Sequence, residues 1–261
     1  MTSPVFNQHE LTAKLGLNQM NPSQDVRLAR QDGWLAKFFP ELDALWGVPQ
    51  NPEHHPEVDT GTHIELTVDV AAKLTLDPMI VFAALVHDLG KGTTPKDELP
   101  KHISHELRGV PLVHAVCDRF NLPDTWRKLG SITAQWHLQA HRALELSPKR
   151  VVKLFRDAGF FDRPELLNGF LIACEADKRG RAGRELTLYP QADFLFQCFE
   201  AARVVRSSVI KLHQDRCDAV RAVMPSALRA AESTREFFTR PTPEPIEDVK
   251  SDTTAGRRPR M

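Results

Sequence analysis

The sequence contains no cysteine pair spaced as C-x-x-C: Cys117, Cys174, Cys198 and Cys217 stand far apart. That argues against a disulfide framework and fits free thiols in a reducing compartment. Net charge is missing too. Thirty-four Lys and Arg balance thirty-four Asp and Glu, so no global field draws the chain to nucleic acid or to an anionic membrane, and any nucleic-acid contact requires a local basic patch. No run reaches the roughly 18 consecutive apolar residues of a membrane span, and the polar N-terminus has no basic region followed by an apolar stretch. The expected location is the cytoplasm, with no membrane and no DNA as partner. Alternating apolar and polar segments bounded by tight turns are absent, which argues against a sheet protein. No internal repeat is evident.

What is present is helical periodicity. It recurs at about 26–39, 60–76, 79–90, 104–120, 124–142, 148–158, 164–180 and 190–236, with Gly, Pro and Asn at the breaks. The expected fold is an all-α helical bundle, long enough to bury a core without staples. Residues 1–25 mix Pro, Asn, Gln and Ser without periodicity, and residues 239–261 are rich in Pro, Thr and Arg. Neither end can bury a face, so both are expected to be disordered.

Three helix surfaces carry inward-facing ligand types. A proline-rich loop, residues 47–59, precedes the first, where Asp59 or Thr60 can cap the helix and place His63 in its first turn. His63 shares a stripe with Leu66, Thr67, Val70 and Leu74. The next helix is apolar all round from Met79 to Val86 and ends in His87-Asp88-Leu89-Gly90-Lys91-Gly92, with Gly90 and Gly92 suited to a helix C-terminus. A carboxylate directly after a buried apolar turn is costly unless it is paired or holds a metal. On the third, Leu166, Phe170, Ala173 and Asp177 fall on one face. Two imidazoles and two carboxylates make a mixed N/O site, suited to Mn²⁺, Fe²⁺, Ni²⁺ or Mg²⁺ rather than to structural zinc. Singly, each residue reads as easily as a hydrogen-bonded core group; the ordered set, all on apolar faces, is specific.

His63, the dyad His87-Asp88 and Asp177 match in order the signature of the HD superfamily of metal-dependent phosphohydrolases. Phe39-Pro40-Glu41-Leu42, His55-Pro56-Glu57, Asp59-Thr60-Gly61, Arg108-Gly109-Val110-Pro111, His141-Arg142-Ala143-Leu144 and Ala173-Cys174-Glu175-Ala176-Asp177 look like the C-terminal HD region of bacterial CCA-adding tRNA nucleotidyltransferases, over residues 35–195. The resemblance implies an HD domain over 26–195, with 1–25 a disordered segment or linker, 196–238 a C-terminal helical extension and 239–261 a tail. It also implies 2′,3′-cyclic phosphodiesterase, 2′-nucleotidase and phosphatase activity on His63, His87, Asp88 and Asp177. The implied cofactor is a divalent ion (Mg, Mn, Ni or Co), the substrate a small nucleotide, and the tRNA 3′ end a further partner. The segment before residue 26 has no counterpart of the family's Gly-rich loop and paired catalytic carboxylates, so CCA addition is not expected.

Asp88 and Lys91 are the expected catalytic residues: Asp88 orients a water besides binding metal, and Lys91 meets a phosphate oxygen as a point charge. Of His102, His105, His114, His137 and His141, we select His105 and His137 as substrate contacts, with ligation of a second metal as their other use. Arg179 and Arg181, beside Gly180 and Gly183, suit a phosphate, against the competing reading of a solvated basic turn. Trp34, Trp46, Trp126 and Trp136 read as core or rim packing. Two rivals stand beside this function: a nucleotidase or (p)ppGpp-type hydrolase, and a non-catalytic tRNA-binding or regulatory module.

Overall fold

Apolar periodicity and local capping set the helices. The computed structural model describes residues 7–206 and 208–238, and among them it contains twelve α-helices and no β-strand, only a bridge between Pro49 and Asp59. In order these are α1 (Gln8–Lys14), α2 (Pro22–Gln31), α3 (Trp34–Phe38), α4 (Pro40–Asp43), α5 (Thr60–Leu74), α6 (Pro78–Val86), α7 (His105–Arg119), α8 (Asp124–His141), α9 (Pro148–Asp157), α10 (Glu165–Arg179), α11 (Pro190–Arg203) and α12 (Val209–Phe238).

The apolar helix α6 organises the rest. Asp77 caps it by accepting from the Met79 N–H at 2.9 Å, Pro78 presets its first turn, and every residue from Ile80 to Val86 is buried. A helix with no polar face can sit only at a centre. Accordingly α5, α8 and α10 pack around it, with Phe82 against Trp126 at 5.2 Å between ring centroids. Burying each large apolar side chain contributes about 1.5–3 kcal/mol, which makes this layer the main support of the site at its end. Helix α7 covers α8 and the 3₁₀ turn Leu89–Thr93 that follows α6. Helices α9, α11 and α12 form a second cluster, where Phe155, Phe160 and Phe199 meet edge to face.

The structure corrects three expectations. The segment expected to be disordered through residue 25 is folded from Asn7 onward: Asn7 and Glu10 form a capping box, and Leu11, Leu15 and Leu17 are fully buried. Ser23 ties this segment to α5, its N–H and hydroxyl donating to Asp69 at 2.9 and 2.8 Å. Three leucines in a polar background are too sparse for a periodic signal, yet enough once a neighbouring surface receives them. The continuous helix expected over 26–39 breaks at Gly33, which takes a left-handed φ of 76°. The helix expected over 190–236 breaks after Arg203 at the β-branched pair Val204-Val205, and a domain boundary at 195 therefore falls inside α11. Residues 1–6 and the expected tail at 239–261 lie outside the described residues. Among the described residues no helix is long and apolar enough to cross a membrane.

Candidate metal centre

The first ligand is set by a cap. Asp59 Oδ1 accepts from the Thr62 N–H at 2.8 Å, which aligns the first turn of α5 and turns His63 inward, where it is fully buried. His63 Nδ1 faces the Gly180 carbonyl and Glu57 Oε1, both at 3.0 Å. Both are acceptors, so Nδ1 carries the proton and Nε2 presents its lone pair to Asp177 Oδ1 at 3.1 Å and Asp88 Oδ2 at 3.9 Å. His87 follows the same logic at the end of α6. Its Nδ1 lies 2.7 Å from the Ala84 carbonyl, leaving Nε2 at 3.1 Å from Asp88 Oδ2 and 3.7 Å from Asp177 Oδ2.

Two glycines let these elements close. A Cβ on Gly90 would stand 1.9 Å from the His105 carbonyl oxygen, and one on Gly180 would stand 2.5 Å from Thr67 Cα. Gly90 therefore admits α7 onto the turn after the dyad, and Gly180 lets its own carbonyl reach His63. Close approach, rather than the helix ending expected from sequence, is what Gly90 provides.

The donor set fits a cation. Buried nitrogens and carboxylate oxygens crowd together here, with His87 Nε2 3.1 Å from Asp88 Oδ2 and His105 Nε2 3.2 Å from Asp88 Oδ1, an arrangement that a cation would satisfy. The ligand atoms of His63, His87 and Asp177 lie within 4.8 Å of one another, as do those of His87, Asp88 and His137. Burial raises the pKa of both carboxyls, yet their neighbours win. His87 and Lys91 hold Asp88 well below the usual range, and His141 and His87 do the same for Asp177. Burial pushes His137 down to about 3. Ionised carboxylates and a neutral imidazole are the states that bind metal. His87 is the exception: burial disfavours its cation, but Asp88 and Asp177 raise its pKa.

Of the other expected residues, four join the cluster. Lys91 is buried with Nζ 2.6 Å from Asp88 Oδ2 and 2.5 Å from Gln50 Oε1. His105 Nε2 and His137 Nε2 stand 3.2 and 3.7 Å from Asp88 Oδ1. Arg181 reaches Asp177 Oδ1 at 3.5 Å. Arg179 does not join them: its guanidinium meets Glu175 at 2.6 Å and the Glu185 carbonyl at 2.9 Å. It lies two residues, about 200° of helix, beyond Asp177, whereas Arg181 lies one turn on.

Sequence reasoning passed over two participants. His141 Nε2 is 2.5 Å from Asp177 Oδ2, and the signal was its place one helical turn after His137. Glu57 Oε1 lies 2.9 Å from His55 Nδ1 as well as 3.0 Å from His63. No periodicity marks a loop residue, so Glu57 stood out only within the His55-Pro56-Glu57 resemblance, with no role attached.

A family model described as HD domain matches residues 60–181. The chain is similar to proteins named Multifunctional CCA protein. That of Thioalkalivibrio sulfidiphilus is 52% identical over 179 residues, 69% of this chain and 44% of the relative. That of Nitrosospira multiformis is 43% identical over 225 residues, 86% and 54% respectively. That of Halorhodospira halophila is 47% identical over 190 residues, 73% and 46%. The chain thus spans about half the length of the curated relatives it matches. No solved structure matches it.

Proposed function

With residues 60–181 an HD domain, we propose that this chain is a metal-dependent phosphohydrolase of nucleotide phosphate esters, with 2′,3′-cyclic phosphodiesterase, 2′-nucleotidase and phosphatase activity. The observation that carries the reading is the convergence of buried ligand atoms: those of His63, His87 and Asp177, and those of His87, Asp88 and His137, lie within 4.8 Å of one another beside the buried Lys91. His63, His87, Asp88 and Asp177 would hold a divalent ion such as Mg, Mn, Ni or Co. When bound, the ion supplies Lewis-acid polarisation of a phosphoryl oxygen and a water of lowered pKa. The protein's own groups do the rest. Glu57 and the Gly180 carbonyl orient His63, and the Ala84 carbonyl orients His87. Asp88 Oδ1 would accept a hydrogen bond from an incoming water, which orients that water. Lys91 and Arg181 flank the two carboxylates and offset charge on the phosphate oxygens as the ester bond breaks. The tRNA 3′ end stands as a larger substrate on the strength of the family resemblance, and the four free, buried cysteines suit the cytoplasm.

His105 and His137 bear on the number of ions. Their Nδ1 atoms face backbone carbonyls, of His102 at 2.8 Å and of Ala134 at 3.0 Å. Both Nε2 atoms therefore converge, 3.3 Å apart, beside Asp88 Oδ1. A proton shared between the rings or a cation held by both satisfies this spacing; a second ion held by His105, His137 and Asp88 is our reading of it.

The test is turnover of 2′,3′-cyclic AMP and 2′-AMP by metal-stripped protein, with Mg²⁺, Mn²⁺, Ni²⁺ or Co²⁺ added in turn. Metal-dependent hydrolysis lost in Asp88→Asn is expected. Inactivity with every metal moves the assignment to another phosphate ester or to the binding-module rival. Metal content by mass spectrometry counts the ions: two per chain are expected, falling to one in His137→Ala.

A further inference from the structure

Two cavities lie outward of the metal centre along the end of α8, and Arg142 lines both. The inner one, of about 320 Å³, is walled by His141, whose Nε2 is 2.5 Å from Asp177 Oδ2. A ligand in it stands one imidazole away from the metal cluster. Its remaining polar groups are mainly acceptors. Gln191 is buried in its wall, and its Nε2 donates to the His141 carbonyl at 3.1 Å, which leaves Oε1 buried with no partner. Glu145 and Glu232 add carboxylates, and Glu145 also neutralises Arg142 at 2.9 Å. Such a wall repels phosphate and suits groups that donate, the hydroxyls of a ribose and the amino group of a base.

The outer cavity, of about 370 Å³, reverses this chemistry. Trp136 lines it together with Arg142, Arg150 and Lys153, and no carboxylate does; Arg142 is paired with Glu145 and Lys153 with Asp157, which leaves Arg150 to meet an anion. In a chain of zero net charge, an arginine beside an aromatic ring offers a local contact for a nucleic-acid phosphate and its base. An aromatic ring among cations is the arrangement that stacks a base while meeting its phosphate. Outward from the metal, the order is therefore phosphate chemistry, acceptor-lined cavity, basic and aromatic cavity. That is the order of groups along a strand: phosphate, nucleoside, phosphate and the next base.

We infer that the two cavities bind the oligonucleotide strand that carries the scissile phosphate. The inner cavity takes the attached nucleoside on Gln191 Oε1, and the outer takes the neighbouring phosphate on Arg150 and its base on Trp136. The acceptor at Gln191 prefers a ribose, whose 2′-hydroxyl donates, to a deoxyribose. The assignment rests on the phosphohydrolase reading for its chemistry, but its binding stands apart from catalysis.

Both sides are measured with one ligand family. Turnover of a trinucleotide RNA ending in a 2′,3′-cyclic phosphate is compared with that of 2′,3′-cyclic AMP, in the wild type, Trp136→Ala and the exposed-site variant Arg150→Gln. Binding of a fluorescein-labelled trinucleotide with a 3′-phosphate is followed by anisotropy in metal-stripped protein. The expected result is a kcat/KM at least tenfold higher for the trinucleotide in the wild type. That ratio falls about tenfold in each variant, in line with the loss of one stacked base or one phosphate contact. A ratio near one in the wild type, or a ratio retained in both variants, overturns the inference. If neither ester turns over with any metal, the phosphohydrolase reading fails; trinucleotide binding weakened by Arg150→Gln then still supports the cavities, and absence of binding overturns them.

Discussion

At the scale of single residues, the centre depends on which nitrogen of each imidazole holds its proton. Glu57 sets this for His63, although it belongs to a loop and touches no other expected ligand. Burial opposes its charge, but His55 and His63 hold its carboxyl well below the usual range, so it is an ionised acceptor throughout neutral pH. Replacing it by glutamine keeps the shape and removes that charge. Glu57→Gln is expected to weaken divalent-metal affinity about 10- to 100-fold, with melting of the metal-free protein little changed; competition against a chelator measures it. His102 supplies a pH dependence outside the ligand set. Its ring joins Thr94 Oγ1 at 2.8 Å to the Pro49 carbonyl at 3.0 Å, with Nε2–H donating and Nδ1 accepting in the neutral form. Burial, then the charge of Lys91, lowers its pKa. Below about pH 6.5 the unfolded chain therefore takes up a proton that the folded one refuses, and stability falls with pH. His55, lowered to about 4, acts in the same direction. The urea midpoint is expected to drop between pH 7 and pH 5, and less steeply in His102→Gln.

At the scale of elements, the proposed ligands stand at helix ends that apolar packing holds in register. Helices α5, α6 and α10 each bring one face to the centre, and their inward stripes were legible from spacing alone: His63 with Val70, Asp177 with Phe170, and the dyad after the run to Val86. What spacing does not reveal is how closely two elements approach. Gly90 is the case in point, because its hydrogen takes the place of a Cβ that would overlap the His105 carbonyl. Gly90→Ala forces α7 off the turn and carries His105 from Asp88. A lower melting temperature together with loss of the second bound ion is expected; calorimetry and metal content read the two effects. The helix breaks were likewise out of reach. Gly33 and Val204-Val205 interrupt patterns whose apolar periodicity continues across them, and neighbouring helices decide where the chain turns.

Across the whole molecule, the centre joins segments remote in the chain: His63 and Asp177 are 114 residues apart, and Glu57 lies 125 from the Ala182 N–H that it also accepts. A ligand that binds only this assembled form stabilises the whole fold. The melting temperature of metal-stripped protein is expected to rise with added Mn²⁺ or Ni²⁺ and to be insensitive to either in Asp177→Asn. The same remoteness divides what could be known from each source. The sequence by itself determined the helical class and picked out His63, His87, Asp88 and Asp177 as inward-facing candidates, because helical period and the cost of burying a charge are local properties. Only the tertiary structure decided that Asn7 onward is folded, that Arg181 and not Arg179 meets Asp177, and that Glu57 and His141 lie against His63 and Asp177. Periodicity tells a side chain which face it shares; it does not say what lies opposite.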